Sequence, residues 1–226
     1  MNLNIQDGFV NSKKAAITAI GALAEHTKEG FFPYLQGVME KLLADGVGSI
    51  HSEHDVVKAE SVLVLKDLVA CAACAHGVTE APVKGQVLTL HPFVSDLLRI
   101  CVDNCITIIK EDPYKQPVAS ACESIIGMLD TLGASALAAM AEKANVLIEC
   151  INMLLLEKAP CQTESNREQK NDEEDDDDHD NIISDSVSEV ICALAKATGG
   201  GFVQYFDYFL RALMRYTKES RPYSDR

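Results

Sequence analysis

Positive charge is scarce in this chain of 226 residues: 20 Lys and Arg stand against 34 Asp and Glu, a formal net charge of -14. Holding a nucleic acid backbone takes Lys and Arg clustered on one face, so the balance argues against a direct nucleic acid partner and towards basic proteins. Long apolar runs are also missing. No stretch approaches the ~20 apolar residues that cross a bilayer, and the N-terminal MNLNIQDGFVNSKK has no basic region followed by an apolar one, so no membrane insertion or secretory leader is expected. Strand-like alternation is absent throughout. The chain reads as soluble and intracellular, and long enough to bury a sizeable core.

Eight cysteines are present, but Cys71, Cys74, Cys101, Cys105, Cys122 and Cys192 fall inside apolar helical patterns, where a thiol packs as a small hydrophobe. Reduced cysteines are expected. The one CxxC, Cys71 to Cys74, with His91, Cys101 and Cys105 as imaginable further ligands, lies in an apolar helix with no second CxxC, which favours packed thiols over zinc. Neither metal nor cofactor is called for.

What is present is helical periodicity. In PVASACESIIGMLDTLG the positions Val118, Ala121, Cys122, Ile125, Ile126, Leu129 and Leu132 trace one face of a 3.6-residue helix. FVSDLLRICVDNCITIIK and SVSEVICALAKATG repeat the pattern. Ser52 with Asp55 predicts a capping box, Asp112 a cap before a helix opening at Pro113, and Pro33 and Pro92 first-turn positions. Gly30, Gly46, Gly77, Gly133 and Gly199 to Gly201 mark turns. These signals predict helices over 12–27, 32–45, 53–75, 91–110, 114–132, 136–157, 182–198 and 202–218, which make four pairs.

The pairs are related. ALAEHTKEGFFPYLQGVMEKLL (Ala22 to Leu43) lies without a gap over ALAKATGGGFVQYFDYFLRALM (Ala193 to Met214), with identities that include Thr27/Thr198, Gly30/Gly201, Phe31/Phe202 and Tyr34/Tyr205. Each pair exposes an apolar face that only a stacked neighbour can cover, so the fold class expected is all-α, an α-solenoid of antiparallel helix pairs. Two inserts stretch the period, one at 77–89 and one at 159–181. The organisation expected is three pairs over 1–158, an acidic flexible loop over 159–181, and a fourth pair with the start of a further repeat over 182–226.

The second insert is the most unusual stretch. From Glu164 to Asp180 it carries ten acids against Arg167 and Lys170, with the high charge and absent aromatics of a disordered loop. EF-hand spacing fails, since counting from Asp172 puts Asp177 where Gly is needed and Ile183 where Glu is needed. Consecutive Asp residues in a loop offer no fixed separation for acid or base catalysis. Two readings remain open: a solvated linker, or electrostatic capture of a basic partner by Asp172, Glu173, Glu174, Asp175, Asp176, Asp177, Asp178 and Asp180. Asp96, Asp103 and Glu149, on exposed faces of second helices, are the alternative cargo surface. The Gly199 to Gly201 run lacks the Lys-Ser/Thr and preceding strand of a phosphate loop and reads as a turn. Phe202, Tyr205, Phe206 and Phe209 share one helical face and are expected in the core, with Tyr208 outside. No nucleophile, base and orienting group can be assembled, so no enzyme is expected.

KKAAITAIGALAE (Lys13 to Glu25) resembles the first helix of a HEAT repeat. The order of parts, the Ala22 to Leu43 pair, then an acidic run, then ISDSVSEVICALAKATGGGFVQYFDYFLRALMRYTKESRPYSDR, is similar to the importin-beta (karyopherin) family of nuclear transport receptors, importin-four-like branch, over essentially the whole chain. The resemblance implies a monomeric receptor segment in cytoplasm and nucleus. It would bind basic cargo such as ribosomal proteins and histones, and engage the Ran GTPase and nucleoporins through the full-length protein. Family members are several times longer and bind Ran chiefly through N-terminal repeats, so an internal fragment is expected. The alternative is a HEAT scaffold in a constitutive assembly.

Overall fold

The computed structural model describes residues 3–163 and 182–216, with side chains from Gly8 onwards. Among these residues there are helices and no strand. The elements are α1 (Leu3–Thr27), α2 (Phe32–Leu43), α3 (Asp55–Leu63), α4 (Leu65–Ala75), α5 (Pro92–Glu111), α6 (Lys115–Leu132), α7 (Ala134–Ala139), α8 (Ala141–Leu155), α9 (Ile182–Thr198) and α10 (Val203–Leu213). They stack as two layers. The first helices of successive pairs, α1, α3 with α4, α6 and α9, pack side by side, and α5 and α8 lie against them with α2 and α10 at the two ends. One continuous core runs between the layers, from Ile17 and Leu35 through Leu68, Leu98, Ile125 and Leu147 to Leu194 and Phe209.

The repeat read from the sequence is a repeat in space. Thr27 and Thr198 end their helices with the hydroxyl donating back to the carbonyl four residues earlier, Leu23 at 2.6 Å and Leu194 at 2.7 Å. A 3-10 turn follows at Lys28–Phe31 and at Gly199–Phe202. Its first residue has positive φ in both, 47° at Lys28 and 55° at Gly199. Then the aromatic pair recurs, Phe31 with Tyr34 at 6.1 Å and Phe202 with Tyr205 at 6.4 Å between ring centroids.

Several expectations need correction. The helix predicted over 53–75 breaks at Val64 into α3 and α4. Here the buried Ser61 hydroxyl donates to the Val57 carbonyl at 2.7 Å, a back-bond that bends helices. The 136–157 helix is likewise two, α7 and α8, turning at the buried Met140. The Ser52/Asp55 capping box does not form: α3 opens after His54, whose N–H goes to Ser52 Oγ at 3.2 Å, and Asp55 Oδ1 accepts from Val56. Asp112 precedes α6 but caps no helix at Pro113. Its Oδ1 accepts from the Tyr114 N–H at 2.9 Å while Oδ2 takes the Lys58 ammonium from α3 at 2.5 Å, in a nearly closed environment. The insert over 159–181 opens on an ordered turn, Pro160–Gln162, with Ala159 and Cys161 in the core.

The insert at 77–89 runs from the end of α4 across the first-helix layer. Pro82 sits on the α6–α7 corner at Gly133, Leu88 N–H donates to the buried Ser135 hydroxyl at 2.8 Å, and Gly85 N–H donates to the Ala197 carbonyl at 2.9 Å. That last bond satisfies one of the orphan carbonyls at the C-terminus of α9. A loop belonging to the second pair therefore fastens the third and fourth.

Candidate functional site

The second helices hold the three acids expected there. Asp96 and Asp103 stand two turns apart on the outer side of α5. The Arg99 guanidinium donates to Asp96 Oδ1 at 2.5 Å and, through Nε, to the Ala139 carbonyl at 3.0 Å, so it leans towards α7. Asp103 pairs with Lys143 of α8 at 2.9 Å. Glu149, on α8, is exposed with no ion pair among the described residues. Two of the three are thus neutralised locally.

Beside Asp96 lies a feature that sequence reasoning missed. The helices α2 and α5 meet at their N-terminal ends, where Phe32 and Phe93 cross edge to face at 5.5 Å, and open apart beyond that contact. The gap is a groove of about 630 Å³, within the usual range of ligand sites, lined by Leu35, Met39, Leu43, Ala44, Phe93, Leu97 and Ile100, with Gln36, Glu40, Asp45 and Asp96 at its edges. No basic side chain lines it. Ile100 is 48% exposed and Phe93 39%, although both lie on a helix whose other apolar residues are buried. The signal available was that Met39, Leu43, Phe93 and Ile100 are more apolar residues than two helices need to cover one inner face.

A second cavity, of about 240 Å³, lies between α1, α4 and the 77–89 loop, with Glu25, Asp67 and Glu80 in its wall. Burial raises the Asp67 pKa to about 6, with Glu25 and Glu123 adding to the rise and Lys66 and His26 opposing it. Cys71 and Cys74 border the same cavity. Cys71 donates to the Lys28 carbonyl at 3.1 Å, and burial pushes its pKa up to about 11. Cys74 donates to Glu29. Cys101, Cys105 and Cys122 are buried with raised pKa values, Cys105 up to about 12. His91 Nδ1 accepts from the Phe93 N–H at 3.3 Å and its ring stacks on His76 at 3.9 Å. These groups do not converge, and among the described residues no three His, Cys, Asp or Glu are placed to hold a metal ion.

Cys192, expected in the core, is exposed, whereas Cys150 and Cys161 are buried. Of the aromatics on α10, Phe209 is buried and Tyr208 faces out as expected, but Phe206 is 47% exposed, as are the apolar side chains of Val203 and Leu210 on the same helix. The acids Asp172, Glu173, Glu174, Asp175, Asp176, Asp177, Asp178 and Asp180 lie outside the described residues.

Two stacked layers of antiparallel helices, repeating at the residue level, define an α-solenoid of HEAT-like helix pairs. A solved structure of the karyopherin Kap121p, bound to the extreme C-terminus of the protein phosphatase Cdc14p, has the same fold with a TM-score of 0.60 and 16% identity, over 94% of this chain and 19% of that one. In sequence the chain is similar to human importin-4, 24% identical over 217 residues, which are 96% of this chain and 19% of that protein. The likeness runs through all four pairs. No protein-family model matches the chain, which spans about a fifth of the length of these relatives.

Proposed function

We propose that the chain is a segment of a nuclear import receptor that binds basic protein cargo. The observation that carries this reading is the likeness to importin-4 along nearly the whole chain, on a solenoid shared with a cargo-bound karyopherin. Importins and karyopherins are transport receptors rather than enzymes, and shuttle between cytoplasm and nucleus. Cargo such as a histone tail or ribosomal protein would be met first by the acidic run from Asp172 to Asp180, whose charge accelerates encounter and competes with nucleic acid for Lys-rich segments. It would then settle on the second helices around Asp96, Asp103 and Glu149. In the full-length protein, Ran in its GTP form releases it and nucleoporins carry the complex.

The test replaces the eight acids of the run with Ser or Asn. Binding to a histone tail should weaken, mainly through slower association, while stability stays within about 0.5 kcal/mol, because exposed charges contribute little to folding. Wild-type binding should fall steeply with salt as the Debye length shortens from ~10 Å at 0.1 M to ~3 Å at 1 M, and the variant should show a flatter dependence. Equal affinity and equal salt slope would return the run to a solvated linker. A full-length protein whose partner stays bound when GTP-loaded Ran is added would favour the constitutive scaffold.

A further inference from the structure

We infer that the groove between α2 and α5 binds a short linear segment of another protein in which two or three large apolar side chains are flanked closely by Lys or Arg. This deepens the cargo reading and rests on it, by giving the basic partner a specific anchor that charge alone does not supply.

The floor of the groove is apolar and half open. Met39 and Leu43 on α2 face Leu97 and Ile100 on α5 across a gap instead of meeting. Neighbouring second helices elsewhere do close up, since α5 packs on α8. Leaving such side chains beside water forgoes the hydrophobic stabilisation that contact would bring. A partner can recover that area; nothing within the described chain does. The groove follows α2 from Leu35 to Ala44 and α5 from Phe93 to Ile100. At 1.5 Å per residue that is ~10–14 Å, room for two or three turns of an amphipathic helix or four or so extended residues.

The edges choose the charge of the occupant. Glu40 and Asp45 border the groove, Asp96 beside them is paired with Arg99, and no Lys or Arg lines it. Arg99 is occupied by Asp96 and the Ala139 carbonyl, so Glu40 and Asp45 are the acids left for a partner. An acidic partner would be repelled and a purely basic one would leave the floor wet, so the fit is a segment carrying both apolar and basic residues.

The test uses the 226-residue chain and a fluorescein-labelled peptide, GSKKLSKLLKKG, with a second peptide in which every Leu is Ser. Fluorescence anisotropy should show the Leu peptide binding at least tenfold more tightly than the Ser peptide. Ile100→Asp, at an exposed position, should remove that advantage and leave weak binding of the Ser peptide intact. Val203→Asp, at a still more exposed apolar site on α10, should change neither. Replacing Glu40 with Gln and Asp45 with Asn together should weaken the Leu peptide about threefold at low salt. Circular dichroism of each variant establishes that it folds.

Equal affinity for the two peptides, or an Ile100→Asp protein that still prefers the Leu peptide, overturns the groove assignment. In that case the cargo reading survives if neutralising Asp172 to Asp180 still weakens the Ser peptide, and falls if the wild type binds neither. Self-association seen by sedimentation and abolished by Ile100→Asp, with no peptide competing, would give the groove to a second copy of the chain and overturn the proposal equally.

Discussion

Lys28 and Gly199 occupy the same place in two repeats and share a left-handed backbone, but only Gly adopts it without a Cβ penalty, which is roughly 1 kcal/mol for other residues. The Lys28 carbonyl accepts the Cys71 thiol, a bond that helps hold the turn. Gly199→Ala should therefore cost about 1 kcal/mol and Lys28→Gly should stabilise by a few tenths, both read from urea unfolding midpoints. Asp67 gives a pH-dependent case. Its folded pKa of about 6 lies above the ordinary aspartate value of 3.8, so the folded chain holds a proton that the unfolded chain loses, and stability from this group declines as pH rises from about 4 to about 6. The full shift corresponds to about 3 kcal/mol. Because the carboxyl is only partly buried, solvent screening leaves about 1 kcal/mol. Asp67→Asn should be more stable than the parent by that amount at pH 7, with the difference vanishing below pH 4. A difference that grows on acidification would reverse the assignment.

At the scale of elements, glycine and loop placement decide how the helices approach. Gly127 of α6 lies under the Lys66 stem of α4, where an added Cβ would come within 2.8 Å of Lys66 Cβ and Cδ, so the first-helix layer closes up at a residue without a side chain. The 77–89 loop is the less expected device, since it joins the second pair to the fourth. Gly85→Val would place a β-branched residue at φ +75° with its Cβ against the Thr198 carbonyl. It should break the bond to Ala197 and cost about 1–2 kcal/mol. Hydrogen exchange should rise at the end of α9 and in the loop, while α1 and α2 stay unchanged. Exchange that rises evenly along the chain would mean the loop is no local fastening.

For the whole molecule, stability in such a stack is a sum over pairs and the contacts between neighbours, so α6, which touches α3, α4, α5, α7 and α9, holds the centre together. A two-layer stack also has two long faces, each broad enough to meet a partner. The exposed apolar side chains of α10 at Val203, Phe206 and Leu210 belong to this scale as well, because in a solenoid each pair covers the apolar surface of its neighbour.

The helix pairs, their order, the repeat of Ala22 to Leu43 in Ala193 to Met214, and the acidic run were determined by the sequence alone. Each is set by local periodicity, turn residues or composition, all of which can be counted along the chain. Only the tertiary structure decided the break at Val64, the partner of Asp112, the fastening by Gly85, the exposure of Phe206 and Cys192, and the groove beside Asp96. These depend on how far apart two helices come to rest. That spacing is fixed by side chains remote in sequence, such as Phe32 against Phe93 at one end of the groove and Lys66 over Gly127 in the other layer.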